Sequence, residues 1–368
     1  MVSAVLRPAA RQIPTSLLSA ASERRRIVAL TSQRRADWAR FVGDQPEATV
    51  FHTLAWHDAV AESFPHEDIY LMAYEGDRVA GVLPMFLVNS MFTGRMLVSL
   101  PYAVGGGIVA ENAGTTEALF EEARRIAARR RCGTIDLRSA RASLPQLPVV
   151  ERYAGFEREL PESSEEVLAW LPRKARAAAR NARTKFGLAT LAGDEHLHEV
   201  WRLYSLSMRR LGSLAYSYAF FRALAKHTPD AHWTSIVQWN GRTVAGLFTL
   251  LFRERVMPYF VGTTNLAKRC SAANFIYLAT MERAVAEGYR VFDFGRSRRD
   301  NAGSFDFKRL HGFEPRPLEY QTWVADDRPM PSLTPSNTRF APARKVFRHL
   351  PLPLTRFIGA RVANHIPA

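Results

Sequence analysis

Cysteine is nearly absent: the 368 residues hold only Cys132 and Cys270. Two thiols make neither a disulfide framework nor a metal-ligand spacing, which fits a reducing compartment. His52, His57, His66, His196 and His198 stand at no metal-binding spacing with cysteine or acid, and His196 and His198, two apart on a helix, diverge. No metal is expected. Long apolar runs are also missing. The best, Val79–Val88, is far short of the ~18 residues a membrane-spanning helix needs and contains Pro84. The opening MVSAVLRPAARQIPTSLLSAASERRR mixes arginine and serine without a sustained apolar centre, so no secretory leader is expected and the chain reads as cytoplasmic. Acidic residues are few beside the basic ones, 35 Asp and Glu against 50 Lys and Arg, a formal charge of +15. Such a surplus calls for an anionic partner (nucleic acid, a phosphate-bearing substrate or an acidic membrane surface) or else is a coat of solvated arginine.

What is present is a soluble globular composition, 47% apolar and 23% charged, at a length suited to two domains of roughly 100–200 residues each. Residues 1–45 are Arg-rich and unpatterned and read as an extension. Trp56, Val60 and Phe64 recur at helical spacing over 49–64 until Pro65 stops them. Residues 69–74 and 79–88 read as a hairpin, 95–100 as a strand, 117–131 as a helix and 133–137 as a strand. The order then returns: helices over 197–211 and 218–227, a hairpin over 235–252, a strand over 256–261, a helix over 272–287 and a strand over 290–294. Three echoes support duplication: Gly81 with Gly246, Asp136 with Asp293, and Gly155–Phe156 with Gly312–Phe313. The expected organisation is a first α/β unit at 46–160, a linking helix at 161–187, a second unit at 188–325 and a Pro-rich basic and apolar tail at 326–368.

The second copy carries something the first lacks. VFDFGRSRRDNAGSFDFKRLHGFEPRPLEY, residues 291–320, reads as a short strand ending at Asp293–Gly295–Arg296, a polar loop holding Phe307 and Lys308, then a turn into a closing strand. Charged groups at the end of a buried strand are rigidly held yet exposed by the loop, which suits chemistry. In the linking segment, Arg173, Arg176, Arg180 and Arg183 fall on one helical stripe with Ala175, Ala178, Ala179, Ala182 and Phe186 on the other side, and no acid interrupts 173–185. The stripe is either a phosphate or RNA contact or a solvated linker face.

DFGRS…GSFDFKRLHGFEPRPLEYQ, the PRKARAAARNARTKFGL helix and the duplicated hairpin resemble the FemAB-like proteins over about Phe51 to Trp323. More narrowly, the chain is similar to the FemAB-related subgroup found beside exosortase (PEP-CTERM) and exopolysaccharide gene clusters. The resemblance implies an α/β fold of tandem duplicated GNAT-like domains, each a mixed, largely antiparallel sheet flanked by helices. It also implies an acyltransferase. Founding members of the family transfer aminoacyl groups from tRNA to an amine of a cell-wall precursor. The family's Phe–Lys pair maps onto Phe307–Lys308 and its basic helix onto 173–185. Acetyl-CoA-dependent relatives hold pyrophosphate in a glycine turn at a helix N-terminus. The matching stretch here, 269–274, has no glycine, and Gly105–Gly107 of copy one is the only substitute in view.

Acyl transfer to an amine needs a base, a positioned carbonyl and a stabilised oxyanion. Lys308 is assigned to the oxyanion or phosphate and Asp293 to the base. Arg296, Phe307 and Tyr320 are assigned to substrate binding, with Arg173, Arg176, Arg180 and Arg183 on an anionic donor. The alternative for the first pair is an Asp293–Arg296 ion pair that ties down a strand end, with Lys308 solvated. No tightly bound cofactor is expected; the donor is aminoacyl-tRNA or acyl-CoA. The acceptor is an amine of an envelope or exopolysaccharide precursor. An acetyl-CoA-dependent N-acetyltransferase and an inactive adaptor for tRNA or a polysaccharide assembly are the competing readings. The tail mixes large apolar residues with arginines, a composition that suits either docking at the inner membrane or packing back on the domain.

Overall fold

The structure is a computed structural model that describes residues 25–325 and 341–366. The extension before Arg25 and the prolines Pro329, Pro331 and Pro335 lie outside the described residues. In chain order the first unit comprises β1 (Arg25–Ala29), α1 (Arg35–Asp44), α2 (Leu54–Ser63), β2 (Glu67–Glu75), β3 (Arg78–Ser90), β4 (Gly94–Val98), β5 (Val109–Ala110), α3 (Ala113–Arg130), β6 (Thr134–Leu137) and β7 (Val149–Glu159). Helices α4 (Val167–Trp170) and α5 (Arg173–Thr184) link it to β8 (Ala189–Ala192), α6 (Leu197–Leu211), α7 (Tyr218–His227), β9 (His232–Trp239), β10 (Arg242–Phe252), β11 (Arg255–Thr263), α8 (Ala272–Ala286), β12 (Val291–Arg298), α9 (Ala302–Leu310) and β13 (Arg316–Val324). The tail contributes α10 (Ala341–Phe347) and α11 (Leu352–Val362).

The thirteen strands form one mainly antiparallel sheet, in the order β1-β2-β3-β4-β6-β13-β7-β12-β11-β10-β9-β8, with β5 paired to β3 off that path. Read from its two ends the sheet gives β1-β2-β3-β4-β6-β13 and β8-β9-β10-β11-β12-β7, so the duplication expected from the sequence is present in the topology. The last strands, however, are exchanged. β7 of the first copy pairs with β12, and β13 of the second pairs with β6. β7 and β13 also pair with each other, so neither copy presents an open edge at the seam. A division at 160/161 therefore cuts the sequence but not the sheet. Residues 25–45 likewise belong to the fold: β1 pairs with β2, and Trp38 of α1 is fully buried.

The sheet register also corrects two of the echoes. Glu157 lies opposite Asp293 and Thr322 opposite Asp136. Gly155 on β7 thus corresponds to Tyr320 on β13, whereas Gly312–Phe313 precedes that strand. The Asp136–Asp293 match is positional; the Gly–Phe match is not, and Gly81, counted from its hairpin turn, corresponds to Ala245, one residue before Gly246.

Three apolar clusters hold the layers together. One, rich in aromatics, packs α1, α2, α6 and α7 against the same sheet face and spans both copies, with Phe51, Trp56, Phe220 and Phe248 fully buried. The second lies under α3. The third lies under α5, α8 and α9. Helix α9 has no counterpart in the first copy. Among the described residues no helix is long and apolar enough to cross a membrane.

Candidate functional site

The parallel strands β11 and β12 share only the pairs Arg255–Val291 and Val256–Phe292 before separating. Beyond that point β12 runs along β7, and its register slips between Asp293 and Arg296. Gly295 sits in this bulge at φ +65°, a left-handed conformation that glycine adopts without a Cβ clash. Phe292 and Phe294 enter the core under α8 and α9, while Asp293 and Arg296 turn toward the seam between the two copies.

Asp293 lines a cavity of about 320 Å³ at that seam. Thr49, Val50, Val104 and Gly105 come to it from the first copy; Leu250, Phe252 and Met257 come from the second. The exchanged strands supply Glu157 and Arg316, and Glu157 pairs with both Arg316 and Arg255 at the rim. The Asp293 carboxylate accepts one hydrogen bond among the described residues, from the Gly295 N–H at 2.8 Å. Burial pushes its pKa up to about 6, opposed by that hydrogen bond.

Arg296 lies among aromatic rings. Its guanidinium is 4.4 Å from the centroid of Tyr153 and 5.8 Å from that of Tyr320. It donates to the Tyr320 hydroxyl at 3.2 Å and pairs with no carboxylate among the described residues. The alternative, an Asp293–Arg296 ion pair, is not formed; each group bonds elsewhere. The Tyr320 hydroxyl in turn donates to the Val104 carbonyl, and the Tyr259 hydroxyl donates to the Tyr102 carbonyl. Burial raises the pKa of both tyrosines, so they remain neutral donors. These bonds fasten the 101–107 loop of the first copy over the second.

The glycines of that loop are engaged within the fold. The Gly106 N–H donates to the Arg138 carbonyl at 2.7 Å, and the Gly105 carbonyl accepts from the Thr49 hydroxyl at 3.3 Å. A Cβ at Gly107 would fall 2.1 Å from Ser139 Oγ. Close packing requires glycine there.

Lys308 is neither in a loop nor solvated. It lies on α9, whose N-terminus is capped by the Asn301 side chain, and is only 8% exposed. Its Nζ donates to the carbonyls of Gly295 at 3.1 Å and Arg296 at 2.9 Å, and stands 5.1 Å from the Phe156 ring centroid. Burial lowers its pKa to about 7, partly offset by the charge of Asp293. Lys308 thus braces the bulge from the α9 side and does not line the cavity. Phe307 packs on Tyr277, Phe294 and His311, away from that cavity.

The arginine stripe is split by the fold. At about 100° per residue the four arginines centre roughly 110° from Ala175, Ala179 and Ala182, so one flank of the stripe reaches the protein body. Arg183 pairs with Glu282, and Arg176 donates to the Ala169 carbonyl at 3.1 Å. Arg173 and Arg180 remain exposed, with Lys174 and Lys185 beside them. Ala175, Ala179 and Ala182 are buried, as expected. At the N-terminus of α8, Ser271 takes φ +56° and ψ 34°, the left-handed conformation usual for glycine.

Sequence reasoning missed Tyr153, Tyr259, Glu157, Arg255 and Arg316. It also missed Arg138, which is 6% exposed and donates from Nε to Asp136 at 3.1 Å. A readable signal existed for Arg138 alone, since Asp136–Arg138 echoes Asp293–Arg296. The others meet the site only through the exchanged strands and the seam.

Residues 167–309 match the family model described as an acetyltransferase (GNAT) domain. No curated protein matches the chain. Among solved structures, FemX superposes with a TM-score of 0.62 at 12% identity, over 82% of this chain and 98% of its own. A tandem GNAT protein from the clavulanic acid biosynthesis pathway gives 0.52 at 13%, over 83% of this chain and 100% of its own. L-PGS from Bacillus licheniformis gives 0.52 at 12%, over 90% and 98%. At these identities the likeness is one of fold: the chain has a tandem GNAT-like architecture.

Proposed function

We propose that the protein is an acyltransferase that moves an acyl or aminoacyl group from an anionic donor to an amine, within an envelope or exopolysaccharide precursor. One observation carries this reading. The β12 bulge sets a carboxyl titrating near neutrality and a guanidinium without an acidic partner at the seam where β11 and β12 part. Asp293 takes the proton of the incoming ammonium, and the freed nitrogen attacks the donor carbonyl. As the C–O or C–S bond breaks, the nitrogen's second proton passes to the donor's ester oxygen or thioester sulfur, and the proton held by Asp293 returns to solvent, restoring the carboxylate. A base titrating close to ambient pH is efficient because it is both ionised and basic enough. Arg296 receives a phosphate or carboxylate of the substrate through its open donors, since a half-buried guanidinium without a counter-charge is unfavourable unless a ligand supplies one. Lys308 fixes the bulge that aims both groups; it is a positioning residue.

The resemblance to FemAB-like proteins supports aminoacyl-tRNA as the donor, with exposed Arg173 and Arg180 on its phosphates. A second reading, an acetyl-CoA donor, is favoured by Ser271: the turn before α8 keeps a glycine-like shape without the glycine. Thermal shift with CoA and gel shift with tRNA on one preparation, followed by transfer from each labelled donor, separate the two. Arg173→Glu with Arg180→Glu weakens tRNA binding at least tenfold if tRNA is the donor. Binding of tRNA without transfer of any acyl group to any amine leaves an adaptor and removes the enzyme reading.

A further inference from the structure

The tail resolves two expectations at once, because it packs back on the body and still presents an apolar, basic face. Thr355, Gly359 and Ala363 are buried against the body, and a Cβ at Gly359 would lie 2.5 Å from the Ala215 carbonyl oxygen. Backbone and side-chain bonds lock the segment down. Arg209 donates to the Leu350 carbonyl at 3.2 Å, Tyr102 to that of Ala363 at 3.0 Å and Ser90 to that of His365 at 2.7 Å. The Arg356 guanidinium lies 4.0 Å from the Trp201 ring centroid.

Nine large apolar side chains of the described residues are exposed, and six of them lie on the tail or on segments bonded to it. Val346, Leu354 and Phe357 belong to the tail. Leu211 adjoins it, its carbonyl accepting from Arg348 at 3.3 Å. Met91 and Phe92 occupy the β3–β4 turn, which Ser90 and Asn89 tie to His365. Clustering of this kind on an otherwise polar surface marks an interaction site. The charge of the segment names the partner. Residues 341–366 contain five Lys and Arg and no Asp or Glu. On α11 the exposed Leu354, Phe357 and Arg361 follow one another at i, i+3 and i+7, and the Arg361 guanidinium lies 4.1 Å from the Phe357 ring centroid.

We propose that the tail and the β3–β4 turn form a preformed docking surface for an anionic lipid bilayer. A protein partner would be expected to meet these cations with carboxylates and to separate them from the apolar core of its interface. A bilayer instead takes both on one face, apolar groups below the headgroups and guanidinium groups among the phosphates. Because the helices are fastened to both copies, docking needs no folding of the segment. The inference stands independently of acyl transfer.

Flotation of the full chain with vesicles of phosphatidylglycerol and phosphatidylcholine in equal parts, and with phosphatidylcholine alone, tests it. The protein should float with the anionic vesicles, weakly with the neutral ones, and less in high salt. Leu354→Glu with Phe357→Glu should reduce binding at least about tenfold, and Arg361→Ala about fivefold. All three positions face outward, so the urea midpoint of each variant should equal that of the wild type. Equal flotation of the double variant, or no flotation of the wild type with anionic vesicles, overturns the proposal. So does a concentration-dependent dimer in sedimentation that the double variant abolishes, since the face would then belong to a second copy of the chain.

Discussion

Replacing Asp293 by asparagine separates a functional carboxyl from a structural one, because the two roles predict opposite changes in stability. In the fold the carboxyl titrates near 6 rather than at its ordinary 3.8. Keeping it ionised at neutral pH therefore costs at most about 3 kcal/mol, at about 1.4 kcal/mol per pH unit. Wild-type stability contributed by this group is full below about pH 4 and is lost as pH rises through 6. Asparagine is nearly isosteric and still accepts from the Gly295 N–H. It gives up the charge-assisted part of that bond, roughly 1–1.5 kcal/mol. The balance predicts that Asp293→Asn is about 1–2 kcal/mol more stable than wild type at pH 7.5 and close to it at pH 4. Transfer should meanwhile fall about 10²–10⁴-fold, and the wild-type rise in rate through pH 6 should vanish. Urea unfolding at the two pH values together with a transfer assay measures both. If the variant is destabilised at pH 7.5, or transfers at the wild-type rate, Asp293 only ties the bulge and the reasoning fails.

Lys308→Met removes the donor from two buried carbonyls and should destabilise the fold by about 2–4 kcal/mol at pH 9. The lysine titrates near 7 in the fold and near 10.5 when unfolded, so wild-type stability rises between those values and the variant lacks that rise. Its penalty should be smaller at pH 6, as urea midpoints across pH would report; a variant of unchanged stability at pH 9 contradicts the bracing role. Ser271→Gly should stabilise by about 1 kcal/mol by relieving the left-handed turn before α8, and a lower urea midpoint would show that the serine side chain is needed there.

The charged stretch at 291–320 was legible because it breaks the apolar pattern of its own strand. Asp293 and Arg296 were found that way, and both lie at the seam. Lys308 was found by the same signal and given the wrong surroundings. Its burial depends on Phe156 and on two carbonyls of β12, none of which its own neighbours in sequence reveal. The arginine helix shows the same limit. Periodicity put Ala175, Ala179 and Ala182 inside, but only the position of Glu282 on α8 decided that Arg183, exposed like Arg180, has a carboxylate partner.

The sequence by itself determined what short-range physics controls: most of the helices and strands between 49 and 294, that the plan is used twice, where chemistry-bearing side chains cluster, and the +15 charge. Only the tertiary structure decided that the copies exchange their last strands, that Tyr153, Tyr259 and Tyr320 close around Arg296, and that the 101–107 loop is fastened over the second copy. The reason is one of range. Side-chain period is written within a few residues, whereas strand exchange and the seam cavity arise from pairings between segments more than a hundred residues apart, where many partners satisfy the same local pattern and only simultaneous packing selects one.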